Sequence, residues 1–145
     1  MAYGKTDYGW EYTFGVAYRD QTPVTSFDIG LYDDSVDDIQ SDDGLAQITT
    51  KPTGSAYSRQ SVSASSITTS FQAGRWQVTF PDVDFDVSDS SRTVRSGLIV
   101  VDFQASDDSS STDHLLGTFS LGETADLSNR TGTYGIADYG VFDSD

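Results

Sequence analysis

The chain has 145 residues, no cysteine and a formal net charge of −15, from 23 acidic and eight basic residues. The absence of cysteine excludes disulfides, thiolate metal sites and cysteine nucleophiles. The negative charge argues against nucleic acid or an anionic membrane as a partner, because proteins that neutralise phosphates need clustered Lys and Arg.

The acidic residues are almost all aspartate. Glu11 and Glu123 are the only glutamates, and Lys5 and Lys51 are the only lysines. At ordinary salt so much like charge destabilises the compact state, whereas at about 1 M salt a Debye length of about 3 Å screens the repulsion. The composition therefore predicts a protein of a halophile or of a virus of one. An aromatic content of 12% argues against an acidic disordered chain.

Alternating apolar residues predict the strands of the N-terminal half. The first is predicted over residues 10–18, with an aromatic face turned to the core that consists of Trp10, Tyr12, Phe14, Val16 and Tyr18. Further strands are predicted at residues 27–31 and 57–65. Residues 33–43 are rich in aspartate and predict an exposed acidic loop. Leu45 and Ile48 predict a short helical turn capped by Asp42 or Asp43.

The C-terminal half continues in strands. One is predicted at 74–80, and Pro81 predicts a break before the next at 83–87. The continuous apolar run within 94–103 favours a central strand buried on both faces. An exposed acidic loop at 104–114 precedes strands at 115–121 and 134–142. The pattern predicts an all-β protein, a single antiparallel β-sandwich or jelly-roll-like domain of about eight strands over residues 1–145.

Catalytic constellations are not evident. His114 is the only histidine, and no Gly-x-Ser-x-Gly motif accompanies it. Its predicted role is hydrogen bonding at a loop edge. Asp102 lies among apolar residues, and we expect it on the solvent face of its strand. The sequence therefore predicts no catalytic or cofactor-binding residue and a protein that is not an enzyme.

A cation site is the one cofactor question that the sequence leaves open. The candidate calcium ligands are the paired aspartates of the 33–43 loop: Asp33, Asp34, Asp37, Asp38, Asp42 and Asp43. Asp82, Asp84 and Asp86 alternate along one strand, about 6.6–7 Å apart, and are too widely spaced to converge on one ion. A solvated acidic surface suited to brine is the favoured interpretation of both groups.

Aromatic residues outside the predicted core stripe are candidates for a subunit interface. These are Tyr3, Tyr8, Tyr32, Tyr139 and Phe142. Residues 1–9 are a candidate N-terminal docking arm. The chain has no basic and apolar leader, which predicts synthesis and folding in the cytoplasm.

Three segments resemble small β-sandwich virion proteins of tailed viruses. They are residues 27–34 (FDIGLYDD), 57–62 (YSRQSV) and 74–101, which contain WQVTFPDVDFDVSDSS. The resemblance spans about residues 24–122. It implies a capsid surface turret or decoration subunit, assembled in the host cytoplasm as a symmetric homo-oligomer and held by the major capsid protein or other virion proteins.

Together with the acidic composition, the resemblance points to a haloarchaeal tailed virus. Two alternatives remain open. One is a tail or baseplate component. The other is a carbohydrate- or receptor-binding module that contacts host surface glycans, for which exposed aromatic rings would be needed.

Overall fold

The computed structural model describes residues 4–130, 132–137, 139 and 142–143, the last two by their backbone alone. Over these residues the chain forms ten strands and one α-helix in an antiparallel, sandwich-like arrangement, which confirms the all-β class. The elements are β1 Gly4–Lys5, α1 Asp7–Tyr18, β2 Ser26–Tyr32, β3 Gln60–Ser63, β4 Thr68–Gln72, β5 Arg75–Thr79, β6 Val83–Asp86, β7 Thr93–Phe103, β8 Thr112–Asp126, β9 Thr133–Ile136 and β10 Phe142–Asp143.

The principal sheet has five antiparallel strands in the order β1-β8-β7-β2-β3. Its central strand, β7, contributes side chains to both faces. Ile99 and Val101 belong to the main core, whereas Leu98 and Val100 belong to a smaller cluster on the opposite side. Burial on both faces explains why this strand is continuously apolar. The prediction of a central strand at 94–103 is confirmed.

Two smaller sheets complete the β structure, with strand orders β10-β5-β4 and β6-β9. β4, which the sequence analysis does not predict, forms a hairpin with β5 through Ala73 and Gly74. Both turn residues have positive φ, 51° and 83°, as a tight hairpin turn requires. Pro81 separates strands of different sheets, so the predicted break is confirmed. The single strand predicted over 134–142 is wrong, because β9 pairs with β6 and β10 with β5.

The segment 10–18 is the largest correction, since it lies in helix α1 and not in a strand. Its apolar residues alternate, but they also recur every fourth position in two rows, which fits the helical period equally well. The inner row is Tyr8, Tyr12 and Val16, and the outer row is Trp10, Phe14 and Tyr18. A strict alternation of five apolar residues therefore does not distinguish the two structures here.

Local capping favours the helix. The Thr6 hydroxyl accepts a hydrogen bond of 3.1 Å from the backbone N–H of Gly9, the arrangement of a helix N-cap. Asp7 follows in the first turn, where a negative charge is favourable. The Thr6-Asp7 pair is the sequence feature that could have identified the helix start, but the sequence analysis did not use it.

The acidic loop at 33–43 is less exposed than predicted. Asp33 and Asp37 are each 7% exposed, and Ile39 is 2% exposed. The helical turn after it is confirmed as a 3₁₀ turn, Leu45–Gln47. Its cap is not Asp42 or Asp43. Instead the backbone N–H of Gly44 donates to the Gln47 side chain at 2.8 Å. In the 104–114 segment Ala105 is buried, and β8 already begins at Thr112.

The predicted docking arm of residues 1–9 is, from residue 4 onward, part of the subunit's own fold. Gly4 and Lys5 pair with Thr118 and Gly117 of β8. The backbone N–H of Thr6 then donates to the carbonyl of Leu116 at 2.9 Å. Residues 1–3 lie outside the described residues. The N-terminal segment thus fixes the position of α1 on the principal sheet.

Candidate functional site

Helix α1 is held against β8 by close backbone contact. A β-carbon at Gly9 would lie 2.1 Å from the carbonyl oxygen of Leu116, so only glycine fits this approach. Tyr12 anchors the next turn. Its hydroxyl accepts a hydrogen bond of 2.9 Å from the N–H of Val24, and its ring meets Phe27 and Phe103 edge-on. The inner row of the helix therefore packs on the subunit's core, with Tyr12 buried and Tyr8 and Val16 partly buried.

The outer row of the helix forms an exposed surface that we name the aromatic helix face. It consists of Trp10, Phe14 and Tyr18, which are 47%, 50% and 82% exposed. Neighbouring rings contact one another, with centroid separations of 5.4 Å and 6.1 Å. Three aromatic rings at successive turns extend along about 12 Å of helix. Exposed aromatic patches of this kind mark interaction surfaces more often than isolated apolar residues do.

Lys5 borders this face. Its ammonium lies 4.6 Å from the centroid of the Trp10 ring and donates to the Thr13 hydroxyl at 2.9 Å. Partial burial lowers the pKa of Lys5 from its usual value. One of the two lysines is thus placed to orient an indole ring.

The interface candidates from the sequence do not lie together. Tyr32 and Tyr139 are 0% and 4% exposed, so their assignment to an interface is corrected to the subunit's own core. Tyr8 is half-buried and donates a hydrogen bond of 2.9 Å to Asp107. Tyr3 and the side chain of Phe142 lie outside the described residues. The sequence analysis did not identify the aromatic helix face, because it placed these residues in a strand, on the side that faces the protein core.

His114 lies in β8 at the edge of the 104–111 loop, as predicted. Its ring stacks on Tyr8 with a centroid distance of 4.2 Å and meets Phe103 edge-on at 5.2 Å. Its Nε2 contacts both the Asp108 carboxylate and the Thr112 hydroxyl. The hydrogen bond from His114 lowers the pKa of the Asp108 carboxyl, with a further contribution from Thr112. The histidine thus joins the helix to the loop.

A polar cavity of about 600 Å³ opens beside this loop, and three carboxylates line it. The Glu11 carboxylate accepts from the N–H of Ser106 at 2.6 Å, and that of Asp102 accepts from the Ser111 hydroxyl. Asp102 is exposed, which confirms the predicted solvent-face position. The third carboxylate, Asp108, has a lowered pKa, the opposite of what a general acid needs.

Two aspartates of the 33–43 loop act as structural acceptors. Asp37 accepts from both the N–H and the hydroxyl of Thr49 and of Thr50, at 2.5–2.9 Å. Asp33 accepts from the N–H and hydroxyl of Ser35 and from Arg95, the last at 2.5 Å. Burial alone raises the pKa of each carboxyl, but these hydrogen bonds outweigh it and lower both pKa values.

The remaining calcium candidates do not gather around the buried pair. Asp34 accepts from the Ser96 hydroxyl, and Asp43 from the N–H of Gln40 at 2.7 Å. Asp38 and Asp42 are exposed. In the described part of the chain no three His, Asp or Glu side chains are arranged to hold a metal ion. Asp82, Asp84 and Asp86 all lie at the surface, which confirms the solvated acidic edge predicted for this strand.

Acidification is expected to destabilise the protein through the loop aspartates. A carboxyl whose pKa is lowered by folding contributes stability above its unfolded pKa of about 3.9, and this contribution is lost as the pH falls through the folded value. We therefore expect the free energy of unfolding at molar salt to fall below about pH 4. The measurement is urea unfolding across a range of pH. The acid limb is the part of this profile below about pH 4, and we expect the free energy of unfolding of Asp33→Asn to fall less steeply there than that of the wild type.

Asp42→Asn is the control for this profile, since it removes the same charge from an exposed position of the same loop. It should leave the acid limb as steep as in the wild type. Equal slopes for Asp33→Asn and the wild type would contradict the assignment.

A second exposed aromatic pair lies on the β4–β5 hairpin. Phe71 and Trp76 are opposite one another in the register, with ring centroids 5.4 Å apart. They are 60% and 56% exposed. The sequence predicted Trp76 on the face of Val78 and Phe80, but only Phe80 is buried there. The hairpin therefore carries an aromatic surface separate from that of the helix.

No protein-family model, curated protein or solved structure matches the chain. Among the described residues, no helix has the length and apolar character needed to cross a membrane.

Proposed function

We propose that this chain is a structural subunit that works in concentrated brine and associates with copies of itself through the aromatic helix face. The assembly we propose is the surface of a virion of a halophilic tailed virus, as a capsid turret or decoration subunit. The observation that carries the proposal is the row formed by Trp10, Phe14 and Tyr18 on an otherwise acidic protein.

The chemistry of this row fits an interface core. Trp and Tyr are enriched among residues that dominate binding energy, and charged residues are depleted at the centres of interfaces. The three rings already contact one another, so they lose little side-chain freedom when a partner covers them. A symmetric dimer that places this face against its own copy buries six aromatic side chains around one axis.

The salt concentration determines whether two copies of this acidic chain can associate. Two subunits with a formal net charge of −15 each repel one another at low ionic strength. At about 1 M salt the Debye length of about 3 Å confines that repulsion to direct neighbours. The three rings of the aromatic helix face carry no charge, so contact through them adds no repulsion between two acidic copies. Self-association through it is therefore expected to strengthen as salt increases.

The virion assignment is supported by the sequence resemblance of residues 27–34, 57–62 and 74–101 to small β-sandwich virion proteins, and by the aspartate-rich surface. A tail or baseplate position uses the same chemistry. Immunogold labelling of halophilic virus particles with an antibody against this chain distinguishes these sites, because capsid and tail are resolved in the electron microscope. Absence of the chain from purified particles would contradict a virion function.

The test of assembly is the molar mass in solution at molar salt. We expect the wild type to be oligomeric and to dissociate on dilution into low salt. Substituting Trp10, Phe14 and Tyr18 by Gln should yield a monomer, because each hot-spot residue contributes about 2 kcal/mol, or about 30-fold in affinity. Light scattering coupled to size exclusion gives the mass directly.

The hairpin offers a matched control. Phe71→Gln with Trp76→Gln removes aromatic rings of similar exposure from a different surface, and this variant should remain oligomeric. A wild type that stays monomeric at every salt concentration would contradict the proposal. A variant with Gln at Trp10, Phe14 and Tyr18 whose molar mass equals that of the wild type would also contradict it.

The exposed Phe71–Trp76 pair favours a second candidate function, binding of host surface glycans. Sugars stack on exposed aromatic rings, and a cross-strand pair offers a broad platform for that contact. Retention of the wild type on immobilised glycans, lost in the hairpin variant and kept in the helix variant, is the result that this function requires.

A further inference from the structure

A cavity of about 390 Å³ lies between the principal sheet and the segment 45–59. Leu98 of β7 contributes to it from the sheet, and Leu45 and Ile48 contribute from the 3₁₀ turn region. Leu31 of β2 also lines it, but this residue is 0% exposed and its side chain belongs to the main core on the other face of the sheet. Its volume lies within the range of small-molecule sites, about 300–1,000 Å³, and its aliphatic lining is typical of them.

The polar groups of this cavity are unusual for the chain. Lys51, Tyr57 and Arg59 line it, and none of the lining residues is acidic, although the protein has 23 acidic and only eight basic residues. Two of those eight bases thus meet at one apolar cavity. The electrostatic potential at this cavity therefore favours an anion, whereas the acidic surface elsewhere repels anions.

Tyr57 supplies a hydrogen-bond donor. Its hydroxyl accepts a hydrogen bond of 3.0 Å from the N–H of Leu31, and its ring stacks on Phe85 at 5.8 Å. These contacts fix the ring, and the hydroxyl proton has no acceptor among the described residues. Burial raises the pKa of Tyr57, so the phenol keeps its proton at neutral pH.

The two cations differ in how they are held. Arg59 forms an ion pair of 2.9 Å with Asp113 through one terminal nitrogen, which leaves its other N–H groups for a second acceptor. Lys51 forms no ion pair with a described residue and is exposed at the rim. Asp89 does not line the cavity, and its two carboxylate oxygens accept hydrogen bonds from the backbone N–H groups of Ser55 and Ala56.

Gly30 makes room for this arrangement. A β-carbon at Gly30 would lie 3.1 Å from the Tyr57 hydroxyl and 3.3 Å from Cγ of Arg59. The absence of a side chain at this position of β2 thus lets both groups approach the sheet closely at the cavity wall.

We propose that this cavity binds a small organic carboxylate whose apolar body contacts Leu45, Ile48 and Leu98 and whose carboxylate accepts from Tyr57, Arg59 and Lys51. A ligand with a single negative charge fits better than a phosphate dianion, because the ion pair with Asp113 already offsets part of the positive charge of Arg59. Aliphatic walls favour an apolar body over a polyhydroxylated one. This binding is independent of the proposed assembly through the aromatic helix face.

The experiment is an NMR titration of the full chain at one fixed molar concentration of sodium chloride. Hexanoate is the probe, hexanamide the neutral analogue and glucuronate the anion with a polar body. We expect hexanoate to bind with shifts at the cavity residues, and each analogue to bind about tenfold more weakly, since each lacks one of the two contacts.

Variants separate charge at the cavity from charge in general. Lys51→Gln should weaken hexanoate binding about fivefold, as expected for an exposed ionic contact. Tyr57→Phe should weaken it about tenfold through the lost hydrogen bond. Arg19→Gln is the control, because it makes the same change in net charge at an exposed residue outside this cavity, and binding should be unaffected.

Three results would overturn the proposal. One is the absence of saturable hexanoate shifts in the wild type. The second is equal affinity for hexanoate and hexanamide. The third is equal hexanoate affinity for the wild type and Lys51→Gln, a variant whose exposed position makes its folding secure.

Discussion

Replacing Asp37 by alanine is expected to lower the free energy of unfolding by about 3 kcal/mol, a large fraction of the stability of a domain of this size. The carboxylate accepts four hydrogen bonds from Thr49 and Thr50, and it is 7% exposed. Its removal leaves the N–H of buried Thr50 without an acceptor. Urea unfolding at molar salt measures the loss.

Asp42→Ala is the matched control, because Asp42 is an exposed aspartate of the same loop. It removes the same charge, and its effect should stay within about 0.5 kcal/mol. Asp37→Asn should recover part of the loss, since the amide oxygen can replace Oδ2, which accepts three of the four hydrogen bonds, whereas the amide nitrogen cannot accept the fourth. If Asp37→Ala and Asp42→Ala unfold at the same urea concentration, the structural role of Asp37 is refuted.

Replacing Gly9 by alanine is expected to destabilise the protein by about 2–3 kcal/mol, although the same change inside an ordinary helix stabilises by about 1 kcal/mol. The new methyl group would lie 2.1 Å from the Leu116 carbonyl oxygen, which is backbone in the middle of β8. The helix must therefore shift away from the sheet. Thermal unfolding at fixed molar salt gives the sign of the effect.

Gly15, in the same helix, provides the internal comparison. A β-carbon there would meet only the flexible end of the Gln21 side chain, which can move aside. Gly15→Ala should therefore be neutral or stabilising. Opposite signs at the two glycines would establish close docking of α1 on β8, whereas two stabilising substitutions would contradict it.

The strands of the centre were predictable because burial dictates their composition. β7 is apolar at successive positions since it contributes to cores on both faces, and β2 alternates only until its buried end. The helix was not predictable from periodicity, since residues four apart and residues two apart are both apolar between Tyr8 and Tyr18. The capping threonine Thr6 carried the missing information.

The candidate sites likewise differ in how much of them the sequence predicts. Aspartate density in the 33–43 loop indicated charge at the surface, but it carried no information on which carboxylates fold inward to accept hydrogen bonds. The cavity at Tyr57 and Arg59 depends on contacts across the fold between β2, β7 and the segment 45–59. Such long-range proximity leaves no local pattern in a single sequence.

The contact of Thr6 with Leu116 has a consequence for biosynthesis. The two residues are 110 positions apart, so the strand against which α1 packs is synthesised about 110 residues after the helix N-cap. At ribosomal rates of about 5–20 residues per second, about 5–20 s pass between the synthesis of the aromatic residues of α1 and that of β8. Helix α1 therefore packs in its final position only after β8 has been synthesised, and until then its aromatic side chains stay exposed.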